Sequence, residues 1–153
     1  MREDAFLNQI NYQKILDEKL SALQNVSEVP SLLLHSCCAP CSSYCLSYLA
    51  EYFHITVFYF NPNISSPQEY AKRVEEQKRL LDQMPFRHPV SFLCGRYDPE
   101  EFFAMAKGME DCPEGGERCF LCYQMRLEET AQYASQHSFD FFTTTLSVSP
   151  YKN

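Results

Sequence analysis

Two hydrophobic rhythms alternate along the chain. Between residues 5 and 24, Phe6, Ile10, Ile15, Leu16, Leu20 and Leu23 fall at helical spacing and predict an amphipathic helix that covers a sheet or frays, with Pro30 closing the segment. Leu32-Leu33-Leu34-His35 is then a continuous apolar run, as expected of a parallel strand at 32–36 with both faces buried. A helix follows at about 40–52, with Pro40 suited to its first turn. Ile55-Thr56-Val57-Phe58-Tyr59-Phe60 is β-branched and aromatic, and Asn61-Pro62-Asn63 stops it sharply. Ser66-Pro67-Gln68-Glu69 reads as a capped helix start, and that helix runs to about Met84, before Pro85. His88 to Leu93 gives a short third strand, Asp98-Pro99 opens a short acidic helix ending near Gly108, a helix spans about 120–136, and Phe139 to Thr145 forms a fourth strand. The alternating order predicts an α/β fold, a parallel sheet with flanking helices and right-handed crossovers. Residues 1–30 are an N-terminal helical extension, and 31–153 an α/β domain that carries the cysteines. Its last residues stop in what reads as a loop, so the sheet is expected to be incomplete at the C-terminus.

Composition narrows the class. A chain of 153 residues, 45% apolar and 22% charged, fits one globular domain. No segment approaches a membrane span, and acidic residues in Met1-Arg2-Glu3-Asp4 are unlike a secretory signal, so the expected location is the cytoplasm. In a reducing compartment, eight cysteines point to metal or redox ligands rather than a disulfide framework. The net charge of −7 argues against non-specific polyanion binding. It leaves room for a local basic stretch, Lys72, Arg73, Lys78, Arg79 and Arg87, which reads equally as a solvated helix face.

The chemistry-bearing residues are thiols. Cys37 and Cys38 follow the first strand, where open α/β sheets bind ligands. Adjacent strand residues point to opposite faces, so this pair serves one site only if the backbone turns there. A helix starting at that point aims free amides and its positive end at the sulfurs, which favours thiolates. Cys41 reads as a further ligand, a thiol behind the ligands or a small buried hydrophobe, with the core role preferred. Cys119-Phe120-Leu121-Cys122 has the spacing with which a helical turn puts two sulfurs on one metal. It also matches thioredoxin-like pairs, but those follow a strand directly, and here a loop with Gly115 and Gly116 precedes it. That loop reads as an exposed connection rather than a mobile lid. Four soft ligands without paired histidines suit zinc or a four-iron cluster, and spacing does not choose between them. Cys45, Cys94 and Cys112 have no partner at useful spacing, and His35 reads as a satisfied strand histidine. No glycine-containing phosphate loop follows the first strand, which disfavours an ATP-using enzyme of the same broad class.

Six ordered blocks carry a family resemblance: Leu-Leu-His-x-Cys-Cys-Ala-Pro-Cys-Ser at 33–42, Phe-Tyr-Phe-Asn-Pro-Asn-Ile at 58–64, Glu69-Tyr70 with Arg73, Arg118-Cys119-x-x-Cys122, Arg126-Leu127, and Thr-Thr-Thr-Leu-x-x-Ser-Pro-x-Lys at 143–152. Together they resemble the QueH type of epoxyqueuosine reductase. The resemblance implies an adenine-nucleotide-hydrolase-like (HUP) fold in which the cysteine turn replaces the phosphate loop. It implies a cytoplasmic enzyme that reduces epoxyqueuosine to queuosine in the tRNA anticodon loop, with an electron donor of its own and no membrane partner. Cys37, Cys38, Cys119 and Cys122 align with the ligands of a [4Fe-4S] cluster, and an additional metal ion is an option beside it. Asn61, Asn63, Tyr70, Arg73, Arg118, Arg126 and Lys152 are the expected substrate contacts, and no catalytic residue is assigned. The family pattern continues to a C-terminal Cys-x-Cys, taken to be a redox-active disulfide, that this sequence does not reach. The reading is therefore of a fragment or a disabled copy, with a zinc-binding or structural remnant as the alternative function.

Overall fold

A computed structural model describes residues 10–148. Helix α1 (Tyr12–Leu23) precedes strand β1 (Ser31–His35), which leads into α2 (Ala39–Leu49), β2 (His54–Tyr59), α3 (Pro67–Gln83), β3 (Val90–Cys94), α4 (Pro99–Ala106), α5 (Glu117–Gln136) and β4 (Phe141–Thr144), with a short 3-10 turn at Leu146–Val148. The four strands form one sheet in the order β3-β2-β1-β4, and every pair is parallel. The α/β parallel-sheet architecture is the one expected of a HUP-type domain. Met1 to Asp4, Phe6 and Lys152 lie outside the described residues.

Both faces of β1 are covered, which is why its sequence runs apolar without alternation. Leu32 and Leu34 pack with Leu46 and Ala50 of α2, Ile55 and Val57 of β2, and Leu20 of α1. Leu33 turns the other way, toward Phe58, Phe60 and Ala134 of α5. The N-terminal helix therefore covers the sheet through Leu16, Leu20 and Leu23, while Ile10 and Ile15 remain exposed. His35, also on the α5 side and fully buried, lies with Nε2 2.9 Å from the Phe60 carbonyl and Nδ1 2.9 Å from the Thr144 hydroxyl. A carbonyl only accepts, so Nε2 carries the proton, and the ring serves as a strand clamp.

Helix starts follow their caps. Ser66 accepts from the Glu69 amide at 3.3 Å and Asp98 from the Glu100 amide at 3.0 Å, with a proline in the first turn of each helix. The fifth helix begins at Glu117, a turn earlier than its apolar periodicity suggests, because Gly116 serves as its N-cap. The fourth strand begins only at Phe141, because Asp140 is engaged elsewhere: its carboxylate accepts from the Ser31 amide at 2.8 Å and the Ser31 hydroxyl at 3.0 Å. β4 is an edge strand, and its Phe141 and Phe142 are 44% and 48% exposed.

The chain runs from β1 outward through β2 to β3, then returns to the other side of β1 as β4. That reversal opens a crevice at the carboxyl ends of β1 and β4. Across it the Cys37 amide donates to the Thr145 hydroxyl at 3.1 Å, and the Thr145 amide donates to the His35 carbonyl at 3.0 Å. On the opposite face Gln77 of α3, fully buried, accepts from the Ser36 hydroxyl at 2.7 Å and donates to the Ser42 hydroxyl at 3.1 Å.

Replacing Gln77 by Ala removes a buried hydrogen-bond partner from the Ser36 and Ser42 hydroxyls and leaves a void. The expected cost is about 3 kcal/mol in urea unfolding, and a loss below about 0.5 kcal/mol would contradict the assignment. Hydrogen bonds from Ser31 hold the Asp140 carboxyl below the usual aspartate range. Their contribution is present above the unfolded-state value, about 4, and is lost as pH falls through the lower native one. An Asp140→Asn variant should accordingly show a shallower loss of stability on acidification than the parent.

Candidate metal centre

The backbone turns at Cys38, which is the extended N-cap of α2 (φ −168°, ψ 161°). That bend lets two adjacent residues serve one site: the Cys37 and Cys38 sulfurs are 3.7 Å apart. Cys41 sits one turn into the helix, and helical side chains lean toward the N-terminus, so its sulfur folds back over the turn. The three sulfurs lie within 4.8 Å of one another, a group able to hold a metal ion. The preferred core role for Cys41 is thus not what the fold gives it; it is half-buried and faces its two neighbours. The turn is anchored from several sides. The Thr145 hydroxyl contacts the Cys37 sulfur at 3.4 Å, the Ser36 hydroxyl donates to the Cys38 carbonyl at 3.3 Å, and the Ser42 amide donates to that same carbonyl at 3.2 Å.

The second pair comes from the start of α5. Cys119 and Cys122 are three residues apart in its first two turns, on one face. Gly115 adopts a left-handed φ of +82° and donates its amide to the Cys119 sulfur at 3.3 Å. A Cβ on Gly116 would lie 2.9 Å from both the Cys112 sulfur and the Pro113 carbonyl oxygen. The two glycines seat the preceding loop on the sulfur, and Arg118 ties that loop down by donating to the Met109 and Glu110 carbonyls. Cys112 packs against the N-cap of α5. Cys94 is exposed, and Cys45 packs beside the α1–α2 core.

Cys37, Cys38, Cys119 and Cys122 all line one cavity of about 530 Å³. Asn63, Arg73, Arg118 and Arg126 line it as well. Arg73 pairs with Glu69 at 2.8 Å, and the Asn63 side-chain oxygen is buried without a hydrogen-bond partner among the described residues. Asn61 is 1% exposed and fully engaged inside the protein, donating to the Ser36 carbonyl at 2.9 Å and accepting from Arg126 at 3.3 Å. Tyr70 is not part of the lining; it stacks on Tyr97 at 3.8 Å, with its hydroxyl 3.5 Å from the Cys94 sulfur. Elsewhere in the basic stretch Lys78 pairs with Glu75 and Arg87 with Glu51. Sequence reasoning missed Thr145 and Gln77, whose signals, a threonine after a strand and a lone glutamine on an amphipathic helix, are too common to stand out.

The family model described as Epoxyqueuosine reductase QueH matches residues 32–153. The chain belongs to the QueH family. Relatives that bear that description include a Staphylococcus epidermidis protein, 40% identical over 148 residues, covering 94% of this chain and 62% of the relative. A Streptococcus pyogenes protein is 38% identical over 146 residues, covering 94% and 57%. A Haemophilus influenzae protein is 42% identical over 123 residues, covering 80% and 49%. The chain thus spans about half to three fifths of the length of these curated relatives.

In this QueH-family chain the thiol centre has a marked electrostatic bias. The hydrogen-bonded Cys37 thiol, and then burial, push the Cys38 thiol far above the ordinary cysteine range, while the Cys41 amide pulls the other way. The helix start does favour the thiolate at Cys38 through the Cys41 amide, but the neighbouring thiol and burial outweigh it. A bound cation reverses that balance, since it is attracted to both sulfurs at once. Soft donors, close spacing and half-burial therefore fit a thiophilic metal. In chelator-treated protein, exposed Cys94 should react with iodoacetamide well before Cys38, read by peptide mass spectrometry. Equal rates would contradict this account.

Proposed function

We propose that this chain carries the reductase site of its family, converting the epoxide of epoxyqueuosine in the tRNA anticodon loop to the alkene of queuosine through a [4Fe-4S] cluster held by Cys37, Cys38, Cys119 and Cys122. The observation that supports it most is that four cysteines from two distant segments face one cavity at the strand-order reversal. Cys41 falls outside that set of four, although its sulfur lies within 4.8 Å of those of Cys37 and Cys38. The reading implies a cytoplasmic enzyme served by a separate electron donor. Among the described residues no helix is long and apolar enough to cross a membrane.

Removing the epoxide oxygen takes two electrons and two protons, leaving an alkene and water. A bound iron–sulfur cluster supplies electrons one at a time from the donor. The chain's own residues bind and orient. Arg73 and Arg118 present positive charge at the cavity wall to backbone phosphates, while the buried Asn63 oxygen accepts from a nucleoside hydroxyl. Lys152 is a further candidate contact on the strength of the family pattern, and Tyr70 stacks on Tyr97, whose hydroxyl donates to the carbonyl of the cavity-lining Ile64.

Anaerobic reconstitution with iron and sulfide should give a brown protein with broad absorbance at about 400 nm. A colourless, zinc-loaded product under the same conditions would reject the cluster in favour of a zinc site. Serine at Cys37, Cys38, Cys119 or Cys122 should lower bound iron, whereas serine at Cys45 or Cys94 should leave it unchanged. Equal iron in every variant would remove the ligand assignment.

A further inference from the structure

Arg126 projects from α5 one turn after Cys122, and its side chain is only 4% exposed. A guanidinium has five N–H donors and keeps its charge at any ordinary pH. Two hydrogen bonds use those donors, to the Asn61 side-chain oxygen at 3.3 Å and to the Cys122 carbonyl at 3.4 Å, and the group lies over the Tyr123 ring at 5.4 Å. Among the described residues no carboxylate lies within ion-pair distance of it. A buried charge without a counter-charge is costly. Of the cavity-lining groups that can become negative, Glu114 is exposed and not within ion-pair distance of it, and Tyr123 offers its ring face, which leaves the cysteines as the partners that share its buried wall. Asn61 fixes the direction in which the guanidinium points, because its amide is already committed to the Ser36 carbonyl at 2.9 Å. The chain of contacts from Cys122 through Arg126 and Asn61 to Ser36 thereby links one cysteine segment to the residue preceding Cys37.

We propose that Arg126 is the built-in counter-charge of the thiolate metal centre, held in place by Asn61, rather than a contact for substrate phosphate. Metal-bound thiolates carry more negative charge than the cation neutralises, and a fixed guanidinium in the same wall offsets the excess. The inference rests on the metal-centre part of the function proposed above and is independent of its tRNA part.

The test uses Co²⁺ as a spectroscopic probe, titrated into chelator-treated protein at one fixed near-neutral pH. Arg126→Gln should bind Co²⁺ about tenfold more weakly, equivalent to about 1.4 kcal/mol, while Arg126→Lys, which keeps the charge, should stay within about threefold of the parent. Asn61→Ala should weaken binding and add nothing further on top of Arg126→Gln. Without metal, Arg126→Gln should unfold at or above the parent's urea midpoint, because a lone buried charge has been removed. A merely structural arginine would give the opposite: metal-free stability and Co²⁺ affinity would fall together, and Lys would fail as badly as Gln. That pattern overturns the proposal, as does unchanged Co²⁺ affinity in Arg126→Gln. A parent protein that binds no Co²⁺ at all would overturn the metal-centre reading and this inference with it.

Discussion

Two sulfurs held 3.7 Å apart at the end of a buried strand set the terms for everything around them. Cys38 does not ionise easily beside Cys37, and burial makes its charge more costly still. Holding them there takes a backbone that bends between adjacent residues and neighbours that prevent it from relaxing. The sheet supplies the bend by ending β1 where α2 begins. The Thr145 hydroxyl, the Gln77 amide and the serines at 36 and 42 supply the restraint.

The restraint comes from three directions, and each belongs to a different part of the fold. Thr145 follows β4 and reaches the turn because β4 lies beside β1. Gln77 reaches it from α3, through the crossover that links β2 to β3. Arg126 and Asn61 reach it from α5 and the end of β2. A thiol turn built in this way is held by contacts from several separate elements of the sheet and its helices. Its geometry is a property of the whole domain rather than of the local motif.

Much of this was legible in the residues. Continuous apolar character in Leu32 to Leu34 announced a strand covered on both sides, and Ser66 and Asp98 announced their helices through caps whose chemistry is local. The pairing of Cys37 with Cys38 across a turn could be reasoned from strand geometry. What escaped the sequence was long-range or depended on direction. The position of Cys41 required knowing that α2 starts immediately after Cys38, so that a residue one turn in leans back over the site. The early start of α5 required knowing that Gly116 caps it rather than lying in a loose connection. The Gln77 and Thr145 side chains carry their roles through partners between 35 and 108 residues away, and no spacing rule marks such pairs.

The same parallel sheet that assembles the centre leaves one flank bare. Among the described residues no strand pairs with the outer side of β4, Phe141 and Phe142 are exposed there, and its four residues include no lysine or proline to blunt such a border. A lateral rim of this kind is a template onto which another strand can add by main-chain hydrogen bonds. Unless something covers it, the chain at high concentration will tend to stick to itself along that rim.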